Sequence, residues 1–388
     1  MASKEIKLGN LYDWRVAADS YINSPRRPMP ADAVLHVAGA RPNFPKAAPV
    51  IRALERYGVR QRLVHTGQHY DERLSEVFFR QLGLPEPDLN LGVGSGSHAS
   101  QTAAVMTGLE ELMVADRPAL TVVYGDVNSA LAAALVASKL GIPVAHVEAG
   151  LRSFDRSMPE EINRVVVDHV SDLLFATSPD AVSHLSDEGV AAEKVHLVGN
   201  PMIDTLLANL DRFDVAGIRA ALALPERYIV ATLHRPGNVD DAADAVDLVK
   251  AMHAVADQLP VVLPLHPRGR RHLENAGLLS HRALRVVEPL GYLEFVSLVR
   301  GAAVVVTDSG GVQEETTMLG VPCLTLRPNT ERPITITHGT NRLVTRSTLA
   351  EVVAITVATG RLAVRPTPPM WDGAAGERIA GIIAATLR

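Results

Sequence analysis

The sequence contains a single cysteine, Cys323, among its 388 residues. One thiol can form neither an intramolecular disulfide nor a metal site with several cysteine ligands, so we expect a reducing, cytoplasmic compartment. Aromatic residues make up only 4 % of the chain, which leaves little material for stacking nucleobases. The net charge of -5 likewise predicts binding to neither nucleic acid nor an acidic membrane surface.

Long apolar runs are also missing. The richest stretch, residues 131–140, is interrupted by Ser138 and Lys139 and is shorter than the roughly 18 residues of a membrane-spanning helix. Residues 1–30 mix acidic and basic side chains without the apolar core of a signal peptide. We therefore predict no membrane span, and we expect residues 1–30 to form an extension laid on the first domain.

Length and composition favour a globular protein of two or three domains, at roughly 150 residues per domain. Hydrophobic residues make up 47 % of the chain and charged residues 21 %, the balance of an ordinary soluble enzyme. Short apolar runs alternate with segments in which apolar residues recur three or four apart, which is typical of a parallel sheet covered by helices. The first series of strand candidates is 33–38, 62–65, 119–124, 143–147, 173–176 and 195–198.

A second series of the same kind follows the turn-rich Gly199, Asn200 and Pro201. Its strand candidates are 228–233, 260–265, 284–287, 303–307 and 322–326. A polar, proline-rich stretch at 365–370 then precedes a helical stretch at 374–387. The predicted fold class is therefore α/β, with two Rossmann-like, doubly wound domains. Ligands of such sheets bind beyond the carboxyl ends of the strands, so we expect a charged cleft between the domains.

Three acids fall at or just after predicted strand ends: Asp126, Glu148 and Glu160. Carboxylates in such a place transfer protons or stabilise positive charge on a sugar ring. Glu160 and Glu161 could instead be ordinary acidic residues of a helix N-terminus. Three acids near one sheet edge favour the functional interpretation.

A candidate anion site is formed by the sequence Asp308-Ser309-Gly310-Gly311, between a β-branched strand and a predicted helix at 312–319. Free N–H groups and the helix dipole at such a junction attract phosphate, although an ordinary N-cap with a glycine turn has the same pattern. Arg41 and Lys46, at another strand-to-helix junction, could hold a diphosphate or could be a solvated pair.

Several common sites are absent from the sequence. It contains neither G-x-G-x-x-G nor a P-loop, so nicotinamide cofactors and P-loop ATP chemistry are unsupported. Ser309 lacks the G-x-S-x-G context of a hydrolase nucleophile. His234 could donate to a phosphate or transfer a proton, or it could be structural. We find no spacing typical of a metal site and predict neither a metal nor a cofactor.

The motifs resemble, in their order, those of the non-hydrolysing UDP-N-acetylglucosamine 2-epimerases. The matching stretches cover nearly all of residues 33–388, and they are GARPNFPKAAPV from Gly39, TGQHYDE from Thr66, YGDVNSALAAALVASKLGIPVAHVEAGLRS from Tyr124, MPEEINR from Met158, VGNPMIDTL from Val198, TLHRPGN from Thr232, TDSGGVQEET from Thr307, TERP from Thr330 and HGTNRLV from His338.

The resemblance implies a glycosyltransferase-B-like fold with a UDP-sugar in the cleft between the domains. It implies an N-terminal domain of residues 31–200 with 372–388 and a UDP-binding domain of residues 201–371. It also implies a homodimer, and a role in cell-envelope polysaccharide synthesis. The implied reaction is reversible C2 epimerisation of UDP-GlcNAc to UDP-ManNAc through a 2-acetamidoglucal intermediate, without a redox cofactor.

The resemblance also assigns roles to individual residues. Asp126, Glu148 and Glu160 would be the essential acids, and His234 would act on protons or phosphate. The implied substrate-binding and UDP-binding residues are Arg41, Lys46, Phe295, Ser309, Gly310, Gly311, Glu315 and Arg332. Of these, Phe295 would line the uracil pocket and Glu315 would contribute to holding the phosphates and ribose.

The chain departs from the family pattern in two places. Leu290 stands where many members have a Gln at the uracil pocket. Regulated members bind a second substrate molecule through a Gln-x-x-Gln pair and a distant Arg; here Gln68 is present, but Asp71 and Thr107 occupy the other two positions. We therefore predict hyperbolic kinetics, and a sigmoidal dependence of initial rate on UDP-GlcNAc concentration would contradict this prediction.

Other activities remain open from the sequence. A 2-epimerase of a UDP-diacetamido-uronic acid would carry the same motifs. A hydrolysing relative would release free ManNAc and UDP, although the GARPN start favours the non-hydrolysing branch. A retaining glycosyltransferase on the same fold would not need the three acids, and a binder without catalytic activity would not need them either.

Overall fold

The computed structural model describes residues 32–68, 72–233, 235, 242–265, 267–361 and 367–388. The predicted extension at residues 1–30 lies outside this part of the chain. The strands are β1 Val34–Ala38, β2 Gln61–His65, β3 Leu89–Asn90, β4 Leu120–Tyr124, β5 Val144–Ala149, β6 Leu173–Ala176, β7 Val195–Leu197, β8 Ile229–Thr232, β9 Val261–Pro264, β10 Leu284–Val287, β11 Val304–Thr307, β12 Cys323–Leu326 and β13 Asn341–Val344.

The α-helices alternate with these strands for most of the chain. They are α1 Phe44–Arg56, α2 Glu72–Leu82, α3 His98–Ala115, α4 Asn128–Lys139, α5 Pro159–Val170, α6 Pro179–Asp187, α7 Pro201–Ala208, α8 Val215–Ala221, α9 Ala242–Ala256, α10 Pro267–Asn275, α11 Tyr292–Gly301, α12 Gly310–Leu319, α13 Ile334–Thr337, α14 Leu349–Thr359 and α15 Ala375–Thr386. Within the described ranges, no helix is both long and apolar enough to cross a membrane.

The strands form two parallel sheets, ordered β3-β2-β1-β4-β5-β6-β7 and β10-β9-β8-β11-β12-β13. Strands such as β4, with the sequence LTVVY, are buried along their whole length, as expected where helices cover both faces of a parallel sheet. The predicted fold class is confirmed. Each predicted strand is present within two residues of its expected bounds, whereas β3 and β13 were not predicted.

The hydrophobic core fills both faces of each sheet. On one face of the first sheet, α3 and α4 bury Val105 and Leu109 against Ala133 and Ala137. The small alanine side chains let the two helices approach closely. On the other face, α1 and α15 contribute Phe44, Leu54 and Ile379 to a cluster that continues into the second sheet. A separate cluster fills the remaining face of the second sheet.

The chain passes between the two sheets twice, and the two passages lie side by side. Gly199 precedes the first passage with φ of +87°, and a Cβ atom there would lie 2.0 Å from the carbonyl oxygen of Met370, in the second passage. Trp371 is buried and donates its indole N–H to the Thr177 carbonyl at 2.9 Å. After it, α15 packs on α1, in agreement with the predicted last helix. The division of the chain into two domains at 200 and 371 stays a prediction.

Candidate active site

The candidate site lies where the carboxyl ends of the two sheets meet. Asp126 follows β4, and Glu148 is the second-to-last residue of β5. From the other sheet, Arg332 in the loop after β12 reaches Glu148, with its Nη2 2.7 Å from Oε1. Charged residues of both sheets therefore meet at the place where the sequence predicts the cleft.

Glu148 occupies an unusual backbone conformation. Its φ is +79°, in the left-handed region that costs a non-glycine residue on the order of 1 kcal/mol or more. The pairing of β5 with β6 shifts register between Val147 and Ala149, so a bulge turns the side chain toward the cleft. There the buried carboxylate forms ion pairs with Lys46 and Arg332. Strain of this kind is typical of functional positions.

The segment before Asp126 is shaped to fit against Glu148. Gly125 has φ of +63°, and a Cβ atom there would lie 2.9 Å from both Glu148 Oε2 and Lys46 Nζ. Asn43 donates its amide N–H to the Tyr124 carbonyl at 2.7 Å. Its amide oxygen accepts from the N–H groups of Gly39 and Ala40, each at 3.0 Å. The GARPN turn is thereby fixed to the end of β4.

The two cations predicted after β1 differ in their surroundings. Lys46 is buried on α1 and contacts Glu148, so it is not part of a solvated surface pair. Arg41 is half-buried in the short 3-10 turn that precedes α1. The structure therefore places both residues beside the end of β1.

Asp126 carries its charge next to three cations. Burial opposes its ionisation, but Arg164, Lys46 and Arg332 outweigh that effect and lower the pKa of Asp126. Arg164 forms a direct ion pair with the carboxylate. Asp126 is therefore an anion near neutral pH and could accept a proton or stabilise a cation.

The two adjacent glutamates of α5 have different environments. Glu160 is partly exposed and lies close enough to Arg235 for their charges to interact. Glu161 is buried and accepts from the N–H groups of Ser153 at 2.9 Å and Phe154 at 2.8 Å. Glu161 therefore fixes the loop before α5, whereas Glu160 is left on the cleft side. Sequence spacing alone could not separate these two neighbours.

The predicted anion site is the N-terminus of α12. A Cβ atom on Gly310 would lie 2.3 Å from Arg332 Nη1, and one on Gly311 would lie 2.7 Å from Met202 Cε. Only glycine lets Arg332 rest against the first turn of this helix. The Ser309 hydroxyl does not cap the helix. A helix N-terminus with a guanidinium beside it is suited to bind a diphosphate.

Two buried glutamates follow in α12. Burial raises the pKa of Glu315 to about 8, with the Tyr292 hydroxyl opposing and Glu314 adding to the rise. Burial also raises the pKa of Glu314 to about 7, opposed by Arg332, whose Nε lies 2.9 Å from Glu314 Oε1. Phe295, on α11, is half-buried and packs against the core. Glu314 was not predicted from the sequence.

Gln313 is a second residue that the sequence analysis missed. Its fully buried amide donates to the Ser309 carbonyl at 3.1 Å. Its oxygen accepts from the Thr330 hydroxyl at 2.7 Å and from the Asn341 amide at 2.9 Å. The same Thr330 oxygen accepts the Arg332 backbone N–H at 3.1 Å. Gln313 thus joins the α12 N-terminus to the loop that carries Arg332, which a helical pattern of apolar residues could not indicate.

The remaining predicted residues are placed as follows. His234 and Asp71 lie outside the described residues. Gln68 accepts the Ser129 hydroxyl at 2.7 Å, and Thr107 is exposed on α3. Leu290 packs against the core near α11. Among the residues that the structure describes, no group of three His, Cys, Asp or Glu side chains could hold a metal ion.

Two Rossmann-like parallel sheets whose carboxyl ends meet, with a candidate anion site on the second, are typical of nucleotide-sugar enzymes of the glycosyltransferase-B-like class. The family model for UDP-N-acetylglucosamine 2-epimerase matches residues 52–384. The chain belongs to the UDP-N-acetylglucosamine 2-epimerase family.

Individual relatives agree with this assignment. The chain is 41 % identical over 359 residues to the UDP-N-acetylglucosamine 2-epimerase of Methanocaldococcus jannaschii, covering 89 % of this chain and 97 % of the relative. A crystal structure of that relative in complex with UDP-GlcNAc and UDP matches with a TM-score of 0.85, over 91 % of this chain and 99 % of the other. The chain is also 41 % identical over 355 residues to the UDP-2,3-diacetamido-2,3-dideoxy-D-glucuronate 2-epimerase of Pseudomonas aeruginosa, covering 90 % and 99 %.

Proposed function

We propose that the protein interconverts UDP-GlcNAc and UDP-ManNAc by inverting the configuration at C2. The observation that carries the proposal is the placement of Glu148. This carboxylate is held in a strained conformation on the cleft wall, next to Lys46 and to an Arg332 that also rests on the α12 N-terminus. A base for a sugar carbon and an anion site for its leaving group are therefore adjacent.

In the first half of the proposed reaction, UDP is eliminated. A carboxylate takes the C2 proton, the C2–H electron pair forms the C1=C2 double bond, and UDP leaves C1 with the electron pair of the C1–O bond. The products in the cleft are 2-acetamidoglucal and UDP. Because the C2 proton is weakly acidic, the step depends on stabilising the leaving diphosphate and the cationic character at C1.

In the second half, UDP adds back to C1 and a proton arrives at C2 on the opposite face. The reaction therefore needs an acid or base on each face of the ring. We propose that Asp126, Glu148 and Glu160 share these proton transfers and the stabilisation of the sugar cation. Arg41, Lys46, Arg332 and the N–H groups of Ser309, Gly310 and Gly311 would stabilise the diphosphate.

The other proposed roles concern the nucleotide and the protein as a whole. Glu315 would accept hydrogen bonds from the ribose, Phe295 would line the uracil pocket, and His234 would contact the diphosphate or transfer a proton. The resemblance to the family further supports a cytoplasmic homodimer that supplies cell-envelope polysaccharide synthesis.

A second candidate substrate is a UDP-diacetamido-uronic acid. The observation that favours it is the 41 % identity to a Pseudomonas aeruginosa enzyme named for such a substrate. The chemistry at C1 and C2 would be the same, and only the contacts to the other ring substituents would differ.

The test is proton NMR of the purified protein with UDP-GlcNAc in deuterated water, without added metal or nicotinamide. We expect UDP-ManNAc to appear with deuterium at C2. Free ManNAc and UDP would indicate a hydrolysing enzyme instead. If UDP-GlcNAc is unchanged, conversion of the diacetamido-uronic acid substrate would select the second candidate, and no conversion of either would overturn both.

A further inference from the structure

A fully buried histidine lies directly behind the proposed acids. His146 is in the middle of β5, and its ring nitrogens contact two different loops. Nδ1 is 2.6 Å from Asp168 Oδ1, and Nε2 is 3.0 Å from the Gly125 carbonyl oxygen. Neither His146 nor Asp168 has an exposed side chain, so water does not compete for these hydrogen bonds.

The partners determine the protonation state of His146. A backbone carbonyl only accepts hydrogen bonds, so Nε2 must carry a proton. Asp168 is ionised, because its Oδ2 accepts from the Gly150 N–H at 3.1 Å and from Arg152 Nη1 at 2.7 Å. Burial opposes that ionisation, but His146 and Arg152 outweigh it and lower the pKa of Asp168. Nδ1 therefore faces a carboxylate oxygen, and both hydrogen bonds are made when each ring nitrogen donates.

The charge of Asp168 is balanced on the side that faces away from His146. Arg152 donates from Nε and Nη2 to the two carboxylate oxygens of Glu188, each at 2.7 Å. Arg152 thus lies between two carboxylates, with Asp168 on one side and Glu188 on the other, so its guanidinium is paired within the protein.

The pair holds both strand ends that carry proposed acids. Gly125, whose carbonyl accepts from His146, directly precedes Asp126. Gly150, whose N–H donates to Asp168, follows Glu148 by two residues. Both glycines have positive φ, and a Cβ atom on Gly150 would lie 2.3 Å from the Ala181 carbonyl oxygen. These turns are therefore fixed in position by their hydrogen bonds to one histidine–carboxylate pair.

We propose that His146 and Asp168 are a positioning pair whose hydrogen bonds set the distance between Asp126 and Glu148. Neither side chain touches the cleft, so neither is a catalytic residue. The proposal rests on the proposed epimerase function, because elimination and re-addition require acids held at fixed places around C2. A displacement of about 1 Å can lower a catalytic rate about 100-fold.

Two substitutions of His146 separate positioning from mere stability. In His146→Gln the amide nitrogen reaches the place of Nε2 and can still donate to Gly125. In His146→Asn it reaches the place of Nδ1, so the Gly125 carbonyl loses its donor. His36→Gln is the matched control, because His36 is equally buried in the same sheet but its ring nitrogens hydrogen-bond to Tyr124 and Gln61.

The experiment measures kcat and KM for UDP-GlcNAc together with the melting temperature of each variant. We expect His146→Asn to lower kcat about 100-fold with KM changed less than about threefold. We expect His146→Gln to retain kcat within about fivefold of the wild type, with a melting temperature similar to that of His146→Asn. We expect His36→Gln to retain the wild-type kcat. Equal losses of kcat in the two His146 variants, or no loss in either, would overturn the proposal.

A second measurement does not depend on turnover. Nitrogen-15 NMR of the histidine side chains should show a proton on both ring nitrogens of His146 in the wild-type protein, with these signals absent from His146→Gln. A ring nitrogen without a proton would show that one of the two hydrogen bonds is not donated by His146 and would overturn the proposal. Conversion of UDP-GlcNAc by the wild type in the same series tests the proposed function separately. If the wild type is inactive but both ring nitrogens of His146 carry protons, the proposed function is wrong and the positioning pair is still supported.

Discussion

Glu148 and Arg332 lie 2.7 Å apart although they belong to different sheets. Arg332 also pairs with Glu314 and Glu331, so three carboxylates surround one guanidinium. Burial alone would lower the pKa of Arg332, but these carboxylates outweigh it and raise that pKa. A diphosphate bound at the α12 N-terminus would compete with them for Arg332. In the proposed reaction, binding of the leaving UDP would therefore change the ion pair of Glu148 through this one side chain.

Replacing Glu148 should affect chemistry more than nucleotide binding. In Glu148→Gln the base is lost while the side chain keeps its size, so we expect kcat to fall about 100-fold to 10,000-fold. UDP affinity should stay the same or increase, because Lys46 and Arg332 lose a competing anion. NMR turnover assays and calorimetric titration with UDP measure the two effects. A loss of UDP binding as large as the loss of kcat would contradict the assignment.

Arg332→Lys should weaken UDP binding. Lysine keeps the charge but loses the planar fork that contacts several carboxylates and, in our proposal, the diphosphate. We expect the Kd for UDP to rise about tenfold to 100-fold. Arg270→Lys is the control, since Arg270 pairs with Glu274 and Glu288 on a partly exposed helix. If the two variants bind UDP with equal affinity, Arg332 does not contribute to nucleotide binding.

Gln313→Ala should loosen the anion site without touching the ligand. The substitution removes the hydrogen bonds that join Ser309 to Thr330, and we expect UDP affinity to fall about tenfold. The control is Gln258→Ala, which removes a half-buried hydrogen bond of 2.7 Å to the Ala350 carbonyl in α14. If both variants lose stability equally and bind UDP equally well, Gln313 has no role in the site.

Glu315 should make stability depend on pH. Burial raises its pKa in the folded state to about 8, above the ordinary value of 4.5 for a glutamate, so the folded protein holds a proton that the unfolded chain releases. The folded state therefore binds more protons in this window, and the free energy of unfolding falls as pH rises from about 5 to about 8.

Glu315→Gln should reduce that fall, because the amide does not titrate. Urea unfolding of wild type and variant across the same pH range measures the difference, which should grow with pH by up to about 1.4 kcal/mol per unit. Glu351→Gln, on an exposed position of α14, should leave the profile unchanged. Parallel profiles of wild type and Glu315→Gln would refute the expected titration.

The sequence predicted most of the fold because the buried strands are continuous apolar runs. β4 and β8 are read directly from LTVVY and IVAT, with both faces buried. β3 has only two residues, and β13 has the mixed sequence NRLV, so neither shows an apolar run. Their pairing depends on the neighbouring strand, which a local pattern does not contain.

The candidate site was predictable only in part. Asp126, Glu148 and Ser309 follow or end predicted strands, and position alone indicated them. Gln313 and Glu314 lie on a helix whose buried face is set by tertiary packing. The left-handed backbone of Glu148 and its contact with Arg332 depend on a bulge and on the placement of one sheet against the other. Neither leaves a periodic signal in the sequence.

The adjacent passages at Gly199 and Met370 also have a mechanical consequence. In the predicted division into two domains, a single connecting segment would let one domain rotate and shift freely relative to the other. Two adjacent connecting segments behave as a hinge, which restricts sliding and permits mainly one rotation. Arg378 strengthens the contact between these segments by donating to the Val198 carbonyl at 3.0 Å. A rotation that opens the cleft would therefore move Glu148 away from Arg332 along one path, and closure would restore the same contact.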